Sequence, residues 1–457
     1  MDSLGVNDLI LLTIKRLGIN GEGIAYYKRK AVFVEGGIPG EVVEVRITDI
    51  QDKYIVGEIT KQKKTSPARI KPDCPYFGKC GGCTLQHISY PMQLNEKQNM
   101  VIEAFNRYFD GDVSKIKFKE PIGAKHLYNY RNKTSLPLRF DGQKVVSGLY
   151  AKDSNKLVYV DECLLESKIV QNTLKEVLVF LTRHNASIYN PHLHQGIIRE
   201  VVIRGFNDSG EVQVTFILTK EDKQTISYLK KFPCDSVNIS INDDFKSIDI
   251  FGKNVINIAG KEKIDGSLNN LHFSISPKAF FQLNIEQTLV LYDKIKEVAG
   301  LDGSQKVLDC YCGIGTIGMS VSKDALEVRG IDINKDGIED ANNFAKLNGI
   351  KNAKFYSGNI LPHLEQFKQK GFVPDVLIVD PPRKGLDLNL IRYLQNSDIK
   401  KIIYVSCNPS TLVKNINHLS KKYVVKSVDT IDLMPQTSHV ETIALLSLKV
   451  STKNNDL

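Results

Sequence analysis

The sequence predicts an α/β protein with a doubly wound parallel sheet in its C-terminal part. A β-rich α+β segment and a small N-terminal β-barrel precede it. Three observations carry this. From Ser274 onward, short apolar runs alternate with helical stretches, and regular β/α alternation builds a parallel sheet. The first 64 residues hold short β-branched runs cut by glycine clusters, the pattern of a small barrel. At 457 residues the chain suggests two or three domains.

In the N-terminal part, Leu9 to Leu17, Ala31 to Val34, Glu41 to Ile47 and Tyr54 to Ile59 read as strands. Gly21-Glu-Gly23 and Gly36-Gly-Ile-Pro-Gly40 break them. The Phe33-Val-Glu-Gly-Gly-Ile-Pro-Gly-Glu-Val stretch and its position resemble a TRAM domain, an RNA-binding β-barrel. Lys61 to Lys71 reads as a basic linker, able to contact phosphates beside such a barrel. Residues 96 to about 110 predict an amphipathic helix. From about 126 to 275 the chain is β-rich, with Gln195 to Arg204 and Glu211 to Thr219 as paired strands and a helix over Leu165 to Thr182. A helix over Ile285 to Val298 leads into strands at 306–308, 327–331, 353–356, 376–379, 401–405 and 444–448. The tail from Ser451 is expected to be disordered.

Composition excludes some classes. Charged residues make up 25% and hydrophobic residues 42%, as in ordinary globular chains. No apolar run approaches the roughly 18–20 residues that span a bilayer. The first residues lack a basic segment followed by an apolar one, so no signal peptide is expected and the cytoplasm is the expected location. The net charge of +9 favours a polyanionic partner.

The chemistry lies in five motifs. Cys74-Pro-Tyr-Phe-Gly-Lys-Cys80-Gly-Gly-Cys83 offers three thiols in a glycine-rich loop, and Cys163 is the nearest downstream candidate for a fourth. Four thiolates suit zinc or an iron–sulfur cluster, and spacing alone does not separate them. Lys306-Val-Leu-Asp-Cys-Tyr-Cys-Gly313-Ile-Gly315-Thr-Ile-Gly318 reads as strand, glycine turn and helix start. Asp332 ends the next strand, where an acid can grip ribose hydroxyls. Both features fit NAD and also S-adenosylmethionine. The Asp380-Pro-Pro-Arg-Lys-Gly385 loop and a strand ending at Ser406-Cys407-Asn408-Pro409 favour the methyl donor, because hydride transfer has no need of that thiol. A lone cysteine is more often a small buried hydrophobe. Here it keeps company with a cofactor turn and with His439-Val-Glu441, whose Glu441 is the candidate base and His439 its rival.

Together, Cys-x5-Cys-x2-Cys, Phe-Phe-Gln-Leu-Asn, Asp-x-Tyr-Cys-Gly-x-Gly, Asp-Pro-Pro-Arg-Lys-Gly, Ser-Cys-Asn-Pro and His-Val-Glu resemble the RNA 5-methyluridine methyltransferase family over nearly the whole chain. The resemblance implies a Rossmann-like S-adenosylmethionine-dependent domain and uracil-C5 methylation, with Cys407 as nucleophile and Glu441 as base. It implies Gln282, Tyr311, Asp332 and Asp380 as cofactor contacts, beside Gly313 and Gly315 of the turn. Asp380, Gln282, Arg131 and Lys133 are the expected substrate contacts. Cys74, Cys80, Cys83 and Cys163 match ligands of a [4Fe–4S] cluster. The expected domains are 1–64 (barrel), 65–95 with 126–275 (cluster and RNA), and 96–125 with 276–457 (methyl transfer).

A TRAM domain together with a cluster resembles the 23S ribosomal RNA enzymes, with transfer RNA as the alternative substrate. The expected partner is therefore 23S ribosomal RNA, met by a monomer with no membrane contact. A rival class is a ribosome-assembly factor in which methylation is secondary, for which a Cys407→Ala variant that still restored assembly would speak. A radical enzyme is disfavoured, since radical methyl donors usually space their cysteines Cys-x3-Cys-x2-Cys.

Overall fold

The computed structural model describes residues 4–247 and 249–449. The tail from Ser451 lies outside them. The chain packs into two compact units, one of 1–125, 382–387 and 404–457, the other of 126–381 and 388–403.

The first unit opens with a six-stranded sheet, in the order Leu9–Thr13, Val42–Ile50, Tyr54–Lys64, Lys30–Val34, Gly23–Tyr27, Arg16–Leu17. It wraps a core that includes Val32, Val34, Val43, Val45 and Ile47, all fully buried. The expected first strand is thus two, and Gly23–Tyr27 is an additional one. The last strand runs on to Lys64, so the first lysines of the expected linker are strand residues. They pair with Val42–Ile50 through bulges, which lets an exposed, lysine-rich edge stay in the ladder.

Helix Tyr90–Tyr108 follows. It begins a turn and a half before the expected start because Pro91 sits in its first turn, where a missing N–H costs nothing. The unit closes with antiparallel Tyr423–Ile431 and Glu441–Leu448, and with Lys117–Phe118 parallel to the former. Strand Tyr423–Ile431 has no counterpart in the sequence reading. Its polar Ser427, Asp429 and Thr430 are buried, so it lacks the apolar run that marks a buried strand.

The second unit holds two sheets of note. A seven-stranded sheet packs helix Lys168–Arg183 over Val201, Ile203, Val214, Phe216 and Leu218. In it, Ile198–Gly205 and Val212–Leu218 pair antiparallel, as expected. Every residue of Val212–Leu218 is buried, so both faces of that strand are covered. The other is a parallel set, Ala353–Ser357, Glu327–Asp332, Lys306–Cys310, Val376–Val379. Helices Thr316–Val321, Lys335–Leu347 and Ile360–Gln369 connect them. Strand Lys401–Ser406 carries the chain from this unit into the first. No described helix is long and apolar enough to cross a membrane.

Candidate active site

In the second unit, the ends of the parallel strands carry several of the residues expected to bind the cofactor. Strand Lys306–Cys310 runs into Tyr311, which takes φ +63°, and Gly313 and Gly315 adopt φ +55° and +77°. A Cβ on Gly315 would lie 2.6 Å from the Phe355 ring, so that position needs glycine. The Gly313 N–H donates to Asp332 Oδ2 (2.9 Å) and the Asn334 N–H to Asp332 Oδ1 (2.8 Å). The structure thus joins Asp332 to the glycine turn.

Asp380 follows strand Val376–Val379, and its N–H reaches Cys310 O (3.4 Å). Burial pushes its carboxyl up to about 7, so near neutrality it can accept or donate a hydrogen bond. Gln282 presents its carbonyl to Asn132 Nδ2 (2.8 Å), and the Asn132 N–H donates to Leu283 O (3.0 Å). Arg131 forms isolated backbone β-bridges with Asn284 and Glu166. The Tyr130-Arg-Asn-Lys133 and Phe280-Phe-Gln-Leu-Asn284 motifs are therefore hydrogen-bonded to one another. Lys133 lies over the Phe251 ring (5.6 Å). Burial and the neighbouring Arg204 push its ammonium down to about 7.

Two residues of this region escaped the sequence reading. Asp309, inside strand Lys306–Cys310, is fully buried and accepts the Gly318 N–H (2.8 Å). Burial, then the charges of Asp380 and Asp332, push its carboxyl up to about 8. Tyr292 meets Thr316 Oγ1 at 2.5 Å, and burial beside Asp380 and Asp309 raises its hydroxyl well above the usual range. A carboxylate in the middle of an apolar strand was the available signal for Asp309.

In the first unit, Cys407 is half-buried, one residue past strand Lys401–Ser406. Asn408 caps helix Pro409–Leu419 by accepting the Thr411 N–H (3.3 Å). Asn408 Nδ2 also donates to Arg383 O (3.3 Å), and Arg383 Nη2 contacts His439 Nδ1 (3.2 Å). An arginine has only donors, so His439 Nδ1 accepts. The 382–387 loop, the Cys407 loop and the His439 turn thus converge. Half-buried Glu441 is the first residue of Glu441–Leu448, in register with Ile431, and so belongs to the strand. Arg383 is the residue here that the sequence reading left out.

The cysteine loop lies in the same unit. Cys74, Cys80 and Cys83 are half-buried. The Cys80 N–H donates to Tyr76 O (2.9 Å), and the Gly82 N–H to Cys80 Sγ (3.3 Å). Of these, the Gly82 N–H is aimed at sulfur, a contact that a thiolate accepts. Among the described residues no three His, Cys, Asp or Glu side chains are gathered to metal-binding distance. Cys163, in the second unit, is also half-buried, and its carbonyl accepts from Gln171 Nε2 (2.8 Å).

The chain matches the family described as tRNA (uracil-5-)-methyltransferase over residues 89–449, and the TRAM domain over residues 6–60. It is 40% identical over 451 residues to an uncharacterized RNA methyltransferase of Bacillus anthracis, covering 98% of each chain. It is 39% identical over 447 residues to one of Halalkalibacterium halodurans, covering 95% of each. Among solved structures it resembles a Pyrococcus abyssi tRNA (uracil-54, C5)-methyltransferase in complex with S-adenosyl-L-homocysteine. That similarity has a TM-score of 0.73 and 28% identity, and covers 95% of this chain and 98% of that one. An N-terminal TRAM barrel and a nucleotide-type sheet whose glycine turn is latched to Asp332 are thus joined in a chain that belongs to the S-adenosylmethionine-dependent RNA (uracil-5-)-methyltransferase family.

Proposed function

We propose that the protein methylates C5 of specific uridines in 23S ribosomal RNA, with Cys407 as nucleophile and Glu441 as base. The observation that carries this is the convergence of three loops in the first unit. Arg383, Asn408 beside Cys407, and His439 two residues before Glu441 are linked by hydrogen bonds. The domain roles follow the sequence: 1–64 for RNA, 65–95 with 126–275 for the cluster and RNA, the rest for methyl transfer.

Uracil C5 is a poor nucleophile. The Cys407 thiolate adds to C6, forming a C–S bond and moving the ring's electron pair toward C5. When bound, S-adenosylmethionine would supply an electrophilic methyl to C5, its S–CH3 bond breaking to leave S-adenosylhomocysteine. Glu441 then removes the C5 proton. That electron pair restores the C5=C6 double bond, the C6–S bond breaks, and Cys407 leaves as thiolate. Gln282, Tyr311, Gly313, Gly315, Asp332 and Asp380 hold the cofactor. Asp380, Gln282, Arg131 and Lys133 contact the flipped-out uridine or its backbone.

A [4Fe–4S] cluster on Cys74, Cys80, Cys83 and Cys163 completes the reading, bracing the RNA-binding domain rather than supplying a reactive group. Iron and sulfide analysis of anaerobically purified protein tests it. Zinc alone, or no metal, would sink it. The Cys80→Ser variant is expected to weaken stability or RNA binding more than chemistry. A second substrate reading has its own support, since the full-length structural relative carries transfer RNA in its name.

The deciding experiment uses 5-fluorouridine-containing 23S fragments and transfer RNA with labelled S-adenosylmethionine, run on a denaturing gel. Fluorine cannot leave C5 as a proton, so the adduct persists. A Cys407-dependent shifted band on 23S fragments is expected. A band on transfer RNA alone would move the substrate, and no band on either would favour a binding factor.

A further inference from the structure

The turn 432–440, which delivers Glu441 to its strand, takes most of its anchors from a distant segment. Lys97 Nζ donates to Asp432 Oδ1 (2.6 Å) and to Met434 O (3.2 Å), and the Tyr90 hydroxyl to Asp432 Oδ2 (3.0 Å). Gln93 and Gln436 are doubly joined: Nε2 of Gln93 donates to Oε1 of Gln436 (3.0 Å), and the Gln436 N–H to Gln93 Oε1 (3.2 Å). The Thr84 and Leu85 N–H groups donate to Gln436 O (3.2 and 3.0 Å). The Ser438 N–H donates to Thr84 Oγ1 (2.9 Å).

Gln93, Lys97, Asp432, Gln436, Thr437 and Ser438 are all buried. Gln436, though buried, holds φ +71°, an uncommon conformation for a non-glycine residue. Apolar side chains would fill this space at less cost, because buried polar groups must all be satisfied. What a satisfied network adds is one defined geometry. Thr84 directly follows Cys83, so the network also ends on the cysteine loop.

We propose that Thr84, Gln93 and Lys97 are positioning residues: they hold the turn 432–440 so that Glu441 meets the C5 proton, and they tie the end of the cysteine loop to the base. This rests on the reading of Glu441 as the base. The role predicts a specific failure. With the base displaced, Cys407 still adds and the methyl still transfers, but proton removal stalls. The methylated covalent adduct should then build up on ordinary uridine RNA.

The test compares Thr84→Val, Thr84→Ser and Gln93→Met with Glu441→Gln, each checked for wild-type circular dichroism. Thr84→Val removes the acceptor of the Ser438 N–H at nearly constant volume, and Gln93→Met is an independent break. The expected result is a kcat lowered about 10- to 100-fold, the scale of a small misplacement of a reacting group. The RNA KM should stay within about twofold. A denaturant-stable, methyl-labelled adduct should appear, and Thr84→Ser should restore turnover. If Glu441→Gln traps the adduct while the folded Thr84→Val and Gln93→Met proteins turn over normally, the positioning role is overturned. A loss of turnover without adduct, or a raised KM alone, overturns it too, because the defect then precedes proton removal. If Glu441→Gln itself traps nothing, the base assignment fails first and the positioning role falls with it.

Discussion

Asp309 shows how one buried carboxyl serves the cofactor turn and costs stability. Its Oδ2 holds the Gly318 N–H, while Oδ1 has no hydrogen-bond partner among the described residues. Burial raises its folded value to about 8, against about 3.9 in an unfolded chain. Between those values the folded state binds the extra proton, so stability falls as pH rises from about 4 to about 8. The Asp309→Asn variant should flatten that slope in the cofactor-free protein. Urea midpoints at pH 5 and pH 8 check this, and equal slopes in both proteins would refute it. Lys133 makes the opposite use of burial. Its folded value near 7 means the ammonium loses its proton across the neutral range. If it meets RNA phosphate as proposed, binding should weaken between about pH 6 and 8. A Lys133→Arg protein, whose guanidinium stays charged, should bind evenly over that range in filter-binding titrations.

Among the elements, loops carry the candidate site residues and their anchors lie elsewhere. The 382–387 loop depends on Gly385, at φ +78°, where a Cβ would sit 2.4 Å from Asn415 Oδ1 and 2.5 Å from Thr411 Cγ2. That same Asn415 oxygen accepts the Leu386 N–H and the Tyr404 hydroxyl, each at 2.8 Å. Gly385→Ala should therefore cost about 1–3 kcal/mol in chemical denaturation and lower methyl transfer by moving Arg383. Unchanged stability and rate would show that the loop yields. Much of the element pattern was legible. The glycine turn, the proline after Cys407 and the paired strands of the central sheet follow from local periodicity and turn chemistry. Strand Tyr423–Ile431 was not, because Asp429 and Thr430 are buried polar residues whose surroundings come from remote segments. Arg383 was not either, because its value comes from meeting His439 across a long sequence separation.

The charge of the whole chain, +9, suits an RNA enzyme, and its placement gives a direct test. The hairpin turn between Gly23–Tyr27 and Lys30–Val34 presents Lys28 and Arg29 exposed, both at positive φ, with Lys30 beside them. Reversing all three to Glu should weaken RNA binding about evenly across sequences. It should also lower the slope of log K against log salt by about 0.7 for each single-strand phosphate that is no longer neutralised, with cofactor affinity unchanged. An unaltered salt slope would place the RNA elsewhere.

By itself the sequence determined the fold class and the family resemblance, and it singled out Cys407, Glu441 and four cysteines as candidates. These rest on local signals: residue type, spacing, and the turns that glycine and proline impose. The tertiary structure decided which side chains meet. Asp332 is latched to Gly313, the Arg131 motif to the Gln282 motif, Arg383 to His439, and the segment after Cys83 to the turn before Glu441. Such pairings depend on closing long loops and burying polar groups together, and no short-range pattern encodes that.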